Sequence, residues 1–255
     1  MNLEALSKML ARKPLVISLR EMLGDSREPK NLWLFRLLGF DQSKINNLPF
    51  LVGIEPGRAL FSGSADSLPF AVDLNYRRLE ALASWAKTEL TDDLDNRGRT
   101  VGVVICDVAR YNFLLQVKDG GYKKRSARGR FCPFAGAPKF RESDETALAR
   151  ELYEELADPE VVDQILERFE RRPEVWATGI QWGDNTFPCF WGISTARDNQ
   201  EFAHWVNRLV IDGYVAEGAA ALLSRPALQH QIRLENRDPG STFVNGLQVL
   251  FENVL

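Results

Sequence analysis

The chain has 255 residues, of which 45% are hydrophobic and 26% charged, and its formal net charge is −3. This composition is ordinary for a soluble globular protein, and the length suffices for one large domain or for a domain with a sizeable appendage. The weak negative charge argues against a protein that binds nucleic acid through its overall charge, so such a role would need a local basic patch.

Cysteine and histidine are scarce, with three cysteines and two histidines in the whole chain. The cysteines are widely spaced and form no CxxC pair, which argues against a disulfide framework and against a cysteine zinc site. Two histidines are too few for a histidine-rich metal centre. Carboxylates would therefore hold most of any bound metal, which favours a hard ion such as Mg²⁺ or Mn²⁺.

The N-terminal part predicts a mixture of helices and short strands. Residues 3–11 carry apolar side chains at helical spacing, and residues 49–74 consist of short apolar pieces cut by Gly and Pro, typical of two or three strands. Residues 75–90 predict an amphipathic helix. The sequence contains no apolar run of membrane-spanning length, and charges interrupt the apolar residues of segment 1–19, so we expect a cytoplasmic protein without membrane contact.

The polar stretch 91–99 is the best candidate for a domain boundary. We therefore predict an N-terminal α+β extension at residues 1–95 and a second domain at residues 96–255. The extension matches no known pattern. Its role stays open among a dimerisation element, a cap over an active site and a substrate selector. A homodimer is accordingly one open form of assembly.

The second domain shows strands alternating with helices. The predicted elements are strands at 100–108 and 112–119, a basic loop at 120–130, helices at 147–157 and 159–172, and two strands around a turn within 174–195. Asp158 and Pro159 suit the N-cap and first position of the second helix. This order predicts a sheet with helices packed on it.

Three glutamates crowd onto the first of these helices: Glu151, Glu154 and Glu155. They fall within an arc of about 100° beside the apolar stripe of Leu148, Leu152 and Leu156. Like charges at this spacing repel, and a carboxylate bordering a buried face costs free energy unless a cation compensates it. Taken alone, however, such a helix is more often a solvated, charge-laced surface.

Two upstream residues, Gly136 and Glu142, place these glutamates in a longer pattern. From Gly136 to Glu155 the sequence reads G-x5-E-x7-R-E-L-x-E-E, a coincidence that is rare at typical residue usage. The pattern resembles the Nudix box, the signature of the Nudix hydrolase family, over Gly136 to Asp158. The resemblance implies an α/β fold in which helices sandwich a mixed β-sheet, with the box forming a loop, a helix and a loop.

The resemblance also implies an activity: Mg²⁺- or Mn²⁺-dependent hydrolysis of a nucleoside diphosphate linked to another group, such as a nucleotide sugar, a dinucleotide or ADP-ribose. The implied metal ligands are Glu151, Glu154, Glu155 and the Gly136 carbonyl. Arg150 and Glu142 would form an internal pair that holds the loop against the helix. The general base stays open between a box glutamate and a later acid, for which Glu201 and Glu217 are candidates.

The chain departs from the family pattern at loop positions. Ala135 and Arg141 stand where the family usually has glycine, and Ala157 and Asp158 stand where it has glycine and an aliphatic residue. These departures affect the shape of the loops rather than the carboxylates. A nucleotide-sensing Nudix-fold protein that regulates a partner, with little or no hydrolysis, is therefore the alternative function.

Further candidate binding residues lie outside the box. Lys124, Arg128 and Arg130 belong to the basic loop, where they could meet substrate phosphates or a capped RNA end, or simply be solvated. Four aromatic residues could stack on a base or fill the core: Tyr122, Trp176, Trp182 and Trp191. The core interpretation is the more common one for each of them.

Overall fold

The computed structural model describes residues 17–18, 50–55, 58–62, 70–81, 99–120, 125–139, 142–172, 175–182, 185–216, 218–244 and 246–255. The predicted helix at residues 3–11 and residues 91–98 of the predicted boundary lie outside this part of the chain. The boundary between the two predicted domains therefore stays a prediction.

The N-terminal part contains a four-stranded antiparallel sheet. Its strands are β1 (Ile17–Ser18), β2 (Phe50–Glu55), β3 (Arg58–Ser62) and β4 (Phe70–Asp73), which pair in chain order. Three of the four strands fall within 49–74, where the sequence predicts two or three. Helix α1 follows, of which residues 76–81 are described.

A larger mixed sheet follows in the chain. Its strands are β5 (Thr100–Cys106), β6 (Asn112–Val117), β7 (Phe131–Cys132), β8 (Phe134–Gly136), β9 (Phe169–Arg171), β10 (Val175–Trp182), β11 (Asn185–Thr195) and β12 (Ala219–Ser224). The main order is β10-β11-β5-β6-β12, with the short strands β7, β8 and β9 paired to β6, β5 and β11. Strands β5 and β11 run parallel and the other pairings are antiparallel, which confirms the predicted mixed sheet.

Helices cover both faces of this sheet. On one face lie α2 (Asp144–Glu155), α3 (Pro159–Glu167) and α4 (Asn199–Val206), and on the other lie α5 (Arg225–Arg237) and α6 (Gln248–Glu252). This arrangement confirms the predicted α/β/α sandwich. No helix in the described ranges is long and apolar enough to cross a membrane.

Strand β5 shows why the sheet needs cover on both sides. Its sequence, TVGVVIC, is rich in β-branched residues, and successive side chains of a strand point to opposite faces. Val103 and Ile105 join the core under α2, whereas Val104 and Cys106 join the core under α5. A strand buried on both faces reads as a continuous apolar run, which is the pattern that the sequence shows here.

Helix α1 packs against α2 and α3, which cover one face of the larger sheet. Leu79 is buried in the same cluster as Leu152 of α2, and Arg78 makes an ion pair of 2.9 Å with Asp163 of α3. Asn75 also donates a hydrogen bond to Asp163, at 2.8 Å. The residues just before the predicted boundary thus contribute side chains to the core that surrounds the box helix.

Candidate active site

The box helix is α2, and its start is set by a side-chain cap. The Ser143 hydroxyl accepts a hydrogen bond from the Thr146 amide at 3.1 Å, which satisfies one of the free amides of the first turn. Asp144 and Glu145 in that turn interact favourably with the helix dipole. The helix consequently begins at Asp144, three residues before the sequence prediction of 147, and it ends at Glu155.

Arg150 is the centre of the site, with only 1% of its surface exposed. Its Nε and Nη2 atoms donate to the two carboxylate oxygens of Glu142, at 3.0 and 3.1 Å. Nη2 also donates to the Ala137 carbonyl at 3.0 Å. A bidentate pair of this kind is strong and geometrically specific, so it braces Glu142, which precedes the helix, against Arg150 of the helix.

The same guanidinium gathers two of the three crowded glutamates. Arg150 Nη1 lies 2.9 Å from Glu151 Oε1 and 3.0 Å from Glu154 Oε2. Burial alone would lower the pKa of Arg150, but Glu151 and Glu154, together with Glu142, outweigh it and raise that pKa above its ordinary value. Arg150 therefore stays charged and offsets the repulsion between neighbouring carboxylates.

Glu151 lies directly over Gly136, the last residue of β8. A Cβ atom on Gly136 would stand 1.9 Å from Glu151 Cδ and 2.2 Å from its Oε2, so only glycine leaves room for this carboxylate. Burial raises the pKa of Glu151 to about 7, although Arg150 acts in the opposite direction. The glycine at the start of the box pattern thus has a direct steric role.

Glu155 is the most deeply buried of the three crowded glutamates. Lys118, which follows β6, donates from Nζ to Glu155 Oε1 at 3.0 Å, and the two side chains are 7% and 4% exposed. Sequence reasoning missed Lys118, because its partner is 37 positions away and a lysine at a strand end is usually solvated. The pair places a cation at a predicted metal ligand.

Glu154 is the most accessible of the three, with 26% of its side chain exposed. Lys139 Nζ lies 3.9 Å from Glu154 Oε1, and the Lys139 amide donates to Glu142 at 2.7 Å. Burial lowers the pKa of Lys139, and neighbouring Arg150 adds to this effect. Lys139 is a second cation of the site that the sequence did not reveal.

The donor chemistry of the site fits a hard divalent cation, since carboxylate oxygens are the preferred ligands of such ions. The space left by the missing side chain of Gly136 holds the Glu151 carboxylate at the end of β8. A carboxylate and the Gly136 carbonyl would have to lie this close together to bind one ion jointly. As placed, however, the three glutamates contact Arg150 and Lys118, and the described residues contain no group of three acidic, cysteine or histidine side chains arranged to hold a metal. A metal ion would have to replace a cationic side chain at one or more of these carboxylates.

The downstream end of the box is held differently. Asp158 accepts hydrogen bonds from the Glu160 and Val161 amides, at 3.2 and 3.3 Å, which confirms the predicted start of the second helix. Arg208 Nε lies 2.6 Å from the other Asp158 oxygen. The second helix is shorter than predicted, because it ends at Glu167 and residues 169–171 pair with β11 as strand β9.

Three of the remaining candidates, Arg128, Arg130 and Glu201, lie in the described part of the chain. Arg128 is exposed, and the Arg130 guanidinium lies beside Gly240, where an added Cβ would stand 3.2 Å from Nη1. Glu201 is buried against Arg168 and accepts a hydrogen bond from the Arg197 amide at 2.5 Å. Lys124, Arg141 and Glu217 lie outside the described residues.

Among the four aromatic candidates, Trp191 is buried in the core under α5, which confirms the core interpretation for this residue. Tyr122 and the side chains of Trp176 and Trp182 lie outside the described part of the chain. Trp191 is therefore a core residue, and the other three candidates stay unassigned.

No family model and no curated protein matches the chain. Among solved structures, it is similar to a MutT protein from Methanosarcina mazei Go1, with 13% identity and a TM-score of 0.38 over 61% of this chain and 91% of the other. It is also similar to the Nudix hydrolase RenU from M. smegmatis, with 14% identity and a TM-score of 0.36 over 63% of this chain and 88% of the other. A third similar structure is a C. elegans Ap4A hydrolase, with 16% identity and a TM-score of 0.34 over 61% of this chain and 96% of the other. Nudix and MutT proteins are thus what this chain resembles, at low identity and low TM-score.

Proposed function

We propose that this protein is a Nudix-type hydrolase that cleaves the diphosphate bond of a nucleoside diphosphate linked to another group. The observation that supports the proposal most is the buried Arg150, which joins Glu142, Glu151 and Glu154 at the spacing of the box pattern. A solvated helix face has no need of a buried guanidinium that ties a loop to neighbouring carboxylates. The substrate class we propose comprises nucleotide sugars, dinucleotides and ADP-ribose.

The proposed cofactor is Mg²⁺ or Mn²⁺. Its ligands would be Glu151, Glu154, Glu155 and the carbonyl of Gly136. A bound divalent ion neutralises the charge of the diphosphate and lowers the pKa of a bound water, which is the chemistry that this hydrolysis requires. The carboxylate-rich site supports such an ion by its donor chemistry.

The protein's own side chains would supply position and charge. Arg150 keeps the loop and the helix in fixed register, so that the Gly136 carbonyl and Glu151 stay together. Glu154 is the box glutamate most open to solvent, and it is the candidate we favour for accepting a proton from the attacking water. Glu201 is less suited to that role, since its side chain is only 6% exposed and is held by Arg168 and the Arg197 amide.

A panel of diphosphate substrates tests the proposal. Purified protein is incubated with nucleotide sugars, dinucleoside polyphosphates and ADP-ribose, with Mg²⁺, with Mn²⁺ or with a chelator, and ³¹P NMR follows the products. We expect metal-dependent release of a nucleoside monophosphate, which Glu154→Gln and Glu155→Gln abolish. Glu160→Gln, at an exposed glutamate of α3, is the matched control. The absence of turnover across the panel, or wild-type turnover in both box variants, would refute the proposed activity.

The alternative is a nucleotide sensor that signals to a partner. The observation that favours it is the contact chain from Arg78 of α1 through Asp163 to Tyr153 of the box helix, which couples the N-terminal part to the site. A sensor would bind a panel member in calorimetry without converting it. Sensing and hydrolysis thus differ in whether product appears after tight binding has been measured.

A further inference from the structure

The Lys118–Glu155 pair is fixed in place by main-chain bonds of Lys118, the residue that follows strand β6. The Lys118 amide donates to the Arg130 carbonyl at 3.2 Å, and the Gly129 amide donates to the Lys118 carbonyl at 2.7 Å. Both side chains are almost fully buried, and Nζ lies 3.0 Å from Oε1. The ammonium is therefore held at Glu155 by the fold rather than by a chance surface contact.

Burial makes the charges of this pair interdependent. Removing either charge of a buried ion pair leaves the other without compensation, which is far more costly than losing a surface pair. The neighbouring Cys132 thiol adds no charge, since burial raises its pKa to about 12. Glu155 can consequently bind a divalent ion only if the ammonium gives way or shares the carboxylate with it.

Two of the cations in the site, Arg150 and Lys118, differ in how easily they can be displaced. Arg150 makes a bidentate pair with Glu142 and a further bond to the Ala137 carbonyl, so its guanidinium is held on several sides. Lys118 is a point charge on a flexible four-carbon stem, which can swing away while its backbone keeps the bonds to Arg130 and Gly129. Exchange at Glu155 is therefore possible without disturbing the loop brace.

We propose that Lys118 is an internal counter-ion that occupies Glu155 and competes with the divalent metal for it, so that this lysine sets the metal affinity of the site. The proposal rests on the metal site of the proposed function and extends it by a residue outside the box. Lys118 is a positioning residue in this account, because it acts through Glu155. Its removal should strengthen metal binding rather than weaken it.

The test is Mn²⁺ binding, measured by the loss of the free-ion signal in electron paramagnetic resonance. Lys118→Met removes the charge and keeps the length, whereas Lys118→Arg keeps the charge. We expect Lys118→Met to bind Mn²⁺ about tenfold more tightly than the wild type, because a competing cation 3.0 Å from the ligand has gone. Arg233→Met, at an exposed residue of α5 on the opposite layer, controls for the change in net charge.

Two further variants serve as a substitute for Lys118→Met and as a control for the role of Glu155. Lys118→Gln keeps a neutral hydrogen-bond donor next to Glu155 and replaces Lys118→Met if that variant fails to fold, with the same direction expected. In Lys118→Met/Glu155→Gln the gain in affinity should disappear. Circular dichroism gives an independent readout, since Mn²⁺ should raise the melting temperature of Lys118→Met by more than that of the wild type.

The outcomes separate this proposal from the proposed function. Tighter Mn²⁺ binding by Lys118→Met that depends on Glu155 supports the role of Lys118, whether or not any substrate is hydrolysed. Equal or weaker binding by Lys118→Met and Lys118→Gln overturns it, even if the wild type is an active hydrolase. No Mn²⁺ binding by any of these proteins also overturns it, because the lysine is then not what limits the metal.

Discussion

The two ends of the box are held by different physical means. Upstream, one buried guanidinium bonds to Glu142 and to the Ala137 carbonyl, and the loop is fixed by charge in a dry environment. Downstream, where the sequence leaves the family pattern, the chain is held by the Asp158 cap and by main-chain bonds from the Ala157 amide to Tyr214 and from the Ala216 amide to Glu155. Ala157 and Asp158, where the sequence departs from the box pattern, thus take part in a main-chain bond and in the start of α3.

Breaking the upstream brace should have the largest effect. Arg150→Met leaves Glu142 buried without its cation, and we expect the free energy of unfolding to fall by about 3–5 kcal/mol, with loss of hydrolysis. Urea titration measures the change. The downstream cation provides the comparison: Arg208→Met, with its side chain 32% exposed, should cost about 1 kcal/mol. Equal costs for the two variants would contradict the difference between the ends.

Displacing Glu151 should harm function more than stability. In Gly136→Ala the new methyl group would overlap the Glu151 carboxyl group, so that side chain must move away from the strand end. We expect Mn²⁺ affinity and hydrolysis to fall by about a hundredfold, of the order of 3 kcal/mol, while circular dichroism shows a folded protein. Gly120→Ala places its methyl group in open space and is the matched control. Wild-type affinity in Gly136→Ala would remove the steric role of this glycine.

The raised pKa of Glu151 predicts a pH-dependent cost to stability. Folding raises this pKa to about 7, so between the pKa of the unfolded chain and pH 7 the folded state holds a proton that the unfolded state has released. The free energy of unfolding therefore falls as the pH rises through this window. We expect Glu151→Gln to gain about 3 kcal/mol relative to the wild type between pH 4 and pH 8.

Urea titrations across that pH range measure this gain. Glu145→Gln, an exposed glutamate of the same helix, is compared in parallel. A pH-dependent gain of the same size in Glu145→Gln would show that the effect does not come from Glu151. A gain confined to Glu151→Gln would show that the cost comes from the buried Glu151 carboxylate at the upstream end.

The smallest effect is expected downstream. Asp158→Ala removes the cap of α3 and the partner of Arg208, and it should lower the free energy of unfolding by about 1–2 kcal/mol. Hydrolysis at saturating metal should stay close to that of the wild type, since the glutamates are held elsewhere. Asp212→Ala, which removes a more exposed partner of Arg208, should change stability little. Loss of activity in Asp158→Ala would show that the downstream loop shapes the site after all.

The carboxylates of the site could be predicted because their spacing is local. Glu151, Glu154 and Glu155 lie on one helix, and Gly136 and Glu142 precede it by fixed intervals, so a single stretch of sequence carries the pattern. The alanine at the first family glycine is accommodated by a contact between two strands. Ala135 lies opposite Gly102 in strand β5, where the missing side chain of Gly102 leaves room for its methyl group.

Features that depend on distant contacts could not be predicted in this way. Lys118 meets Glu155 only through the packing of β6 against α2, and no pattern around residue 118 marks a buried lysine. Phe169–Arg171 continues a helix-like pattern yet pairs with β11, and the alanine-rich segment Ala219–Ser224 pairs with β6 despite its helix propensity. In each case tertiary packing overrides the local preference.

Anomalous X-ray scattering from crystals soaked in Mn²⁺ can show whether a divalent ion binds to the box glutamates. We expect a strong peak about 2.1 Å from carboxylate oxygens of Glu155 and of Glu151 or Glu154, with the Lys118 ammonium moved away from Glu155. A peak elsewhere in the molecule, or none at the box with the Lys118–Glu155 pair intact, would contradict it.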